Sequence, residues 1–159
     1  MSESFHDPES SVPLDVLLIE DNEADIKITL RAFQKADLKT NVYVARDGKE
    51  ALDFLKHEGD CQNQEECPRP DLILLDINMP KMTGEELLKN IKGQAALSHI
   101  PIVVLTSSKR PEDILNSYKN GAASYIQKPI DYDEFTDYIK SFNYYWHVVA
   151  KLPDREMFK

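Results

Sequence analysis

Four apolar runs in this chain end in groups that can do chemistry. Asp71-Leu-Ile-Leu-Leu-Asp76 closes on a carboxylate, and Val16-Leu-Leu-Ile19 closes on Glu20-Asp21. Ile102-Val-Val-Leu105 runs into Thr106-Ser107-Ser108, and Ser124-Tyr-Ile-Gln127 runs into Lys128-Pro129. In a parallel sheet these ends share one edge, where such folds place their sites. Glu20, Asp21 and Asp76 repel one another if their strands are neighbours. Either one carboxyl keeps its proton at a raised pKa, or the three share a cation. An all-oxygen set with water selects Mg²⁺ or a similar hard ion. Lys128 beside them makes a plain salt bridge or, with that ion and the Thr106 hydroxyl, holds a transferred phosphoryl group. Phosphoryl transfer needs mainly positioning and charge neutralisation, and a carboxylate can be its nucleophile. Asp76 is the candidate nucleophile, because it lies on the third strand beside the turn Ile77-Asn-Met-Pro80, whose backbone offers a carbonyl ligand. A set of helix caps and solvated strand ends is the alternative, and it leaves Thr106 and Lys128 unexplained.

The elements that position these groups alternate along the chain. Residues 1–13 are polar, contain Glu3, Asp7 and Glu9 but no Lys or Arg, and read as a flexible arm. Val16–Ile19 is a strand buried on both faces. Asn22 or Glu23 opens a helix with Ile26, Leu30 and Phe33 on one face. A short strand, Asn41–Ala45, follows. Asp47 is expected to cap the next helix, with Glu50 completing a capping box and Ala51, Phe54 and Leu55 facing inward. Leu72–Leu75 is the third strand, and Gly84 to about Lys92 is a helix burying Leu87, Leu88 and Ile91. Pro101 introduces the fourth strand. Pro111 starts a helix whose apolar side holds Ile114, Leu115 and Tyr118, and Asn120-Gly121 ends it. The fifth strand is about Ala123–Gln127, and the last helix runs from about Tyr132 to about Val149. This alternation predicts an α/β (βα)5 doubly wound parallel sheet of strand order 2-1-3-4-5.

The chain's 159 residues suit one domain, and 42% apolar with 30% charged residues is an ordinary globular composition. No apolar run is long enough to span a bilayer, and no signal peptide opens the chain, so a cytoplasmic location and no membrane partner are expected. The net charge of −9, from 19 basic and 28 acidic residues, argues against nucleic-acid binding. Cys61 and Cys67 fall in the polar segment His57–Pro70. A cytosolic chain favours two free surface thiols; a local disulfide and half of a metal site are the other readings.

The set Glu20-Asp21, Asp76-Ile-Asn-Met-Pro80 with Gly84, Thr106 and Lys128-Pro129 resembles the response-regulator receiver domain of two-component signalling. The resemblance spans Leu14 to about Ala150 and implies the flavodoxin-like receiver fold. It implies Asp76 as phosphoacceptor and Mg²⁺ as cofactor. The ion would be held directly by Asp21 and Asp76, by Glu20 through water, and by the Asn78 backbone carbonyl. Thr106 matches the hydroxyl that turns toward the phosphoryl group, Lys128 its ion-pair partner, and Tyr125 an aromatic that swings between exposed and buried positions. A cis Lys128-Pro129 bond is also implied. Glu20-Asp-Asn-Glu-Ala-Asp25, the insertion before Pro70-Asp71 and the ending Phe142-Asn-Tyr-Tyr-Trp146-His-Val-Val-Ala-Lys-Leu-Pro153 are similar to the stand-alone regulators paired with bacterial and cyanobacterial phytochromes.

No output domain is expected after the receiver. The implied partners are therefore a sensor histidine kinase, such as a phytochrome, a possible histidine phosphotransfer protein, and a second copy of the chain. Such a chain is a phosphoacceptor that assists its own phosphorylation and dephosphorylation, not an enzyme. A homodimer is expected through Phe142, Tyr145, Trp146, Val149 and Leu152, with 151–159 as a tail contributing to it. The competing arrangement has that tail covering its own domain. A non-phosphorylated binding module of the same fold is the alternative function. An Asp-nucleophile hydrolase is disfavoured because Asn78, not an acid, follows Asp76 by two, and no P-loop motif is present.

Overall fold

The computed structural model describes residues 13–36, 40–63, 65–79, 82–128, 131–146 and 152. Strands and helices alternate as β1 (Leu14–Ile19), α1 (Glu23–Lys35), β2 (Thr40–Ala45), α2 (Gly48–Lys56), β3 (Leu72–Leu75), α3 (Gly84–Lys92), β4 (Ile102–Thr106), α4 (Pro111–Lys119), β5 (Ser124–Gln127) and α5 (Tyr132–Tyr144). The sheet is parallel throughout, in the expected order β2-β1-β3-β4-β5.

Alternating side chains of the central strands feed two cores. Leu17, Ile19, Ile73, Leu75, Ile102 and Val104 pack with Phe54, Leu55, Leu87, Leu88 and Ile91 from α2 and α3. Val16, Leu18, Leu72, Leu74, Val103 and Leu105 pack with Phe33, Phe135, Ile139 and Phe142 from α1 and α5. Polar side chains fix the helix starts. Asn22 accepts from the Asp25 N–H and Thr83 from the Glu86 N–H. The Asp47 carboxylate accepts from the Glu50 N–H at 2.7 Å, as expected, but the Glu50 carboxylate reaches the N–H of Arg46 rather than that of the cap residue. Among the described residues no helix is long and apolar enough to cross a membrane.

Four expectations change. Cys61 and Cys67 are not free thiols; they form a disulfide. The 3-10 turn Gly59–Cys61 folds the segment back on itself, so the two Cα atoms come within 5.6 Å. Phe142 does not belong to an outward surface. It is 6% exposed and meets Phe33 edge to face. Trp146 and Leu152 are half-buried against the same core, while Tyr145 is exposed. Third, the apolar side of α4 faces outward: Leu115 is 55% exposed and Tyr118 49%, and only Ser117 of this helix is buried. The reason is β5, an edge strand whose residues are at most half-buried and which offers α4 little apolar surface. Fourth, Leu30 is only half-buried on α1, where Ile26, Thr29, Ala32 and Phe33 form the inner stripe. Val149, the bond to Pro129, the arm 1–12 and the tail apart from Leu152 lie outside the described residues.

Candidate functional site

The sheet ladder brings the charged strand ends together. Ile19 is in register with Leu75, and the Asp76 N–H donates to the Ile19 carbonyl at 3.0 Å. The Glu20 N–H continues toward β2, onto the Ala45 carbonyl, and the Lys128 N–H continues toward β4, onto the Thr106 carbonyl. Backbone pairing thus carries Glu20, Asp76, Thr106 and Lys128 to one edge. One carboxylate oxygen from each of Glu20, Asp21 and Asp76 lies within 4.8 Å of the others. Glu20 and Asp76 are buried, and Asp21 is the more open of the three.

Three like charges so close need compensation. Part comes from Lys128, whose ammonium lies 2.5 Å from Glu20, 3.0 Å from Asp25 and 3.4 Å from Asp76. Burial pushes the Glu20 carboxyl up to about 7; the Lys128 hydrogen bond opposes this and the Asp76 charge adds to it. Burial works against the Lys128 ammonium too, yet Glu20, Asp76 and Asp25 outweigh it and hold the amine above its ordinary value. A buried carboxyl whose pKa is raised while two further acids stand beside it marks a site short of positive charge. The all-oxygen donor set fits a hard divalent cation, and the residues for one are in place.

Asn78, in the loop after β3, ties the acceptor to the hydroxyl. Its N–H donates to Asp76 at 2.9 Å, and its side-chain amide donates to Thr106 Oγ1 at 3.2 Å. Thr106 is fully buried. Its Oγ1 also accepts from the Ser108 N–H at 3.4 Å. Ser108 in turn donates through Oγ to Asp113 of α4 at 2.5 Å, and its carbonyl accepts from the half-buried Tyr125 hydroxyl at 3.0 Å. The structure therefore gathers Glu20, Asp21, Asp76, Asn78, Thr106 and Lys128 at one edge and links Tyr125 to it through Ser108. Among the expected partner-surface residues, Tyr145 is exposed and lies at the end of α5.

Asp25 and Asp113 escaped the sequence reading. Asp25 reaches Lys128 from the first turn of α1, where an acid is ordinarily read as complementing the helix dipole. Ser108 and Asp113 form a latch five residues apart that no run or periodicity marks. Beside Lys128 opens a cavity of about 280 Å³, lined among others by Asp25, Thr29, Ser107, Asp131 and Phe135.

Comparison with known proteins agrees with this geometry. Residues 16–140 match the model of the response regulator receiver domain. The chain is 36% identical over 139 residues to the probable methanogenesis regulatory protein FilR2 of Methanothrix harundinacea, spanning 87% of this chain and 86% of that one. It is 34% identical over 145 residues to the response regulator Rcp1 of Synechocystis, spanning 91% of this chain and 97% of Rcp1. The Mn²⁺-bound form of Rcp1 superposes with a TM-score of 0.80 at 33% identity, over 89% of this chain and 100% of that one. The phosphorylated cyanobacterial phytochrome response regulator RcpA superposes with a TM-score of 0.83 at 37% identity, over 90% of this chain and all of that one. With five parallel strands in this order, an acidic trio at the sheet edge and a lysine across from it, the chain belongs to the response-regulator receiver domain family.

Proposed function

We propose that the protein accepts a phosphoryl group on Asp76 from a histidine kinase, with Mg²⁺, and signals by protein contact or by onward phosphotransfer. The observation that carries this reading is the juxtaposition of three carboxylate oxygens within 4.8 Å with the Lys128 ammonium bridging Glu20 and Asp76. Asp21, Asp76, Glu20 and the Asn78 carbonyl would hold the ion, whose charge offsets that of the phosphoryl oxygens. An Asp76 oxygen forms the new P–O bond as the P–N bond to the kinase histidine breaks. The imidazole leaves with the electron pair and takes up a proton. Lys128 neutralises one phosphoryl oxygen, and the Thr106 hydroxyl, held in this structure by the Asn78 side chain, would turn toward the incoming group.

In this reading the chain is a phosphoacceptor rather than an enzyme. Its likeness to Rcp1 and RcpA supports a phytochrome as the kinase upstream. A homodimer remains part of the reading; of the described residues expected at its interface, Tyr145 is exposed, and Tyr144 beside it is exposed as well. Intact-mass measurement after incubation with Mg²⁺ and acetyl phosphate tests the chemistry. A phosphoryl adduct lost in Asp76→Asn is expected. No adduct, or one that survives that substitution, overturns the reading. Light scattering tests the dimer, and a strict monomer with and without phosphorylation refutes it.

A further inference from the structure

We propose that Asp25 is a positioning residue for Lys128, sharing its ammonium with the acidic edge and holding it off Asp76 until the phosphoryl group arrives. The proposal rests on the reading of Asp76 as phosphoacceptor. A lysine ammonium has three protons to donate. Here three carboxylates take them, from the end of β1, the first turn of α1 and the end of β3. The distances are unequal. Charge-assisted N–H···O bonds are ordinarily about 2.7–2.9 Å long; Asp25 is close to that at 3.0 Å, whereas Asp76 stands at 3.4 Å. The ammonium sits closest to Glu20, at 2.5 Å, and nearer to Asp25 than to Asp76.

Asp25 is built to hold this place. Its N–H is capped by the Asn22 side chain at 3.0 Å, and its carbonyl accepts from Thr29 Oγ1 at 2.8 Å, so the carboxylate projects from a fixed turn. Asp25 is not one of the three acids whose oxygens cluster for a cation. Asp25 and Lys128 both line the 280 Å³ cavity, which gives the amine room to shift. A phosphoryl group on Asp76 would bring doubly charged oxygen acceptors to the weakly engaged side of the ammonium. Lys128 can turn its weakly held proton toward them, but the Asp25 carboxylate competes for the charge of the same ammonium. The Asp25 charge therefore opposes phosphorylation through Lys128.

Asp25→Asn keeps the shape of the side chain and its backbone bonds while removing that charge. A half-exposed pair of this kind corresponds to about a two- to fivefold change in rate. Adduct formation from acetyl phosphate with Mg²⁺ should accelerate by that factor in Asp25→Asn, and the acceleration should vanish when Lys128→Ala is also present. An unchanged or slower rate, or an equal acceleration in the Lys128→Ala background, overturns the proposal. A second readout needs neither metal nor phosphate. The nitrogen-15 signal of the Lys128 ammonium, protected by three acceptors in the wild type, should exchange faster with water in Asp25→Asn, and unchanged exchange overturns the proposal. If the wild type takes no phosphoryl group on Asp76, the functional reading fails and the ammonium signal alone decides the role of Asp25.

Discussion

Gly84→Ala tests how tightly the acceptor loop is held. Gly84 is the first residue of α3, and its N–H donates to the Ile77 carbonyl at 3.2 Å. A Cβ there would lie 2.3 Å from Ile77 Cα, 2.6 Å from the Asp76 carbonyl oxygen and 3.0 Å from the Ile77 nitrogen. All three atoms are backbone, so no rotamer change relieves the clash. Ordinary contact begins near 3.4 Å, which requires α3 and the Asp76–Ile77 peptide to part by about 1 Å. Two effects oppose each other. Helix propensity alone favours Ala over Gly by up to about 1 kcal/mol. Overpacking against a fixed backbone costs about 1–3 kcal/mol or more. The contact should win, and at about 2–4 °C per kcal/mol for a chain of this size the melting temperature should fall by about 5 °C. The displaced residue is Asp76, and a misplacement of about 1 Å at a reacting group can cost on the order of 10²-fold in rate. Thermal unfolding by circular dichroism and the rate of phosphorylation by acetyl phosphate read the two consequences. A variant as stable as the wild type, phosphorylated at the same rate, would refute the claim that Gly84 is required by the loop that carries Asp76.

Phe142→Ala should destabilise the protein by about 3–5 kcal/mol, the cost of emptying a buried aromatic site; a loss under about 1 kcal/mol in urea unfolding would return Phe142 to the surface. Reducing the Cys61–Cys67 disulfide reopens a loop of separation six, worth about 2 kcal/mol by chain entropy. The urea midpoint should therefore drop with a dithiol present, and a Cys61→Ala, Cys67→Ala variant should not respond. For pH, burial raises the folded-state pKa of Glu20 from 4.5 to about 7, so the folded chain binds the proton more tightly than the unfolded one. Its contribution is present at low pH and is lost as pH rises from about 4.5 through about 7. With chelator present, the wild-type urea midpoint should fall across that window relative to Glu20→Gln; a parallel pH profile for the two proteins would contradict the assignment.

The legible parts of the chain are those where pattern and burial have one solution. β1, β3 and β4 are buried on both faces, so a carboxylate or hydroxyl at the end of each apolar run stands out, and the ladder leaves it no place but the edge. The inner stripes of α2 and α3 follow from spacing because a sheet face waits for them. The same spacing on α4 gives Ile114, Leu115 and Tyr118, yet periodicity records only that a face is apolar, not that anything covers it. The end of α5 hides its phase differently: Phe142, Tyr145 and Trp146 are all aromatic, so composition cannot tell the inward member from the outward one. The cysteine expectation leaned on compartment, whereas the pairing depends on a 3-10 turn that returns Cys61 to Cys67. Asp25 was invisible because an acid in a first helical turn already has a sufficient explanation in the dipole.

The hydrogen bonds around Thr106 also redirect the question of how the site is read. The sequence placed the expected partner surface on the last helix. In the structure, Asp76 leads through Asn78 to Thr106, and Ser108 then connects Thr106 to Asp113 of α4 and to the Tyr125 hydroxyl of β5. The chain of contacts ends on the helix whose Leu115 and Tyr118 are uncovered. Drawing Thr106 toward a phosphoryl group would strain the Asn78 bond on one side and the Ser108 bond on the other, and Ser108 cannot follow without loosening Asp113. Spatial continuity alone does not establish coupling; a double-mutant cycle does. Thr106→Val and Asp113→Asn should each change the protection of α4 amides against hydrogen exchange on phosphorylation. If the latch transmits, their combined effect should fall short of the sum, because either change already severs the path. Strict additivity would mean that α4 learns the state of Asp76 by another route, and would return attention to α5.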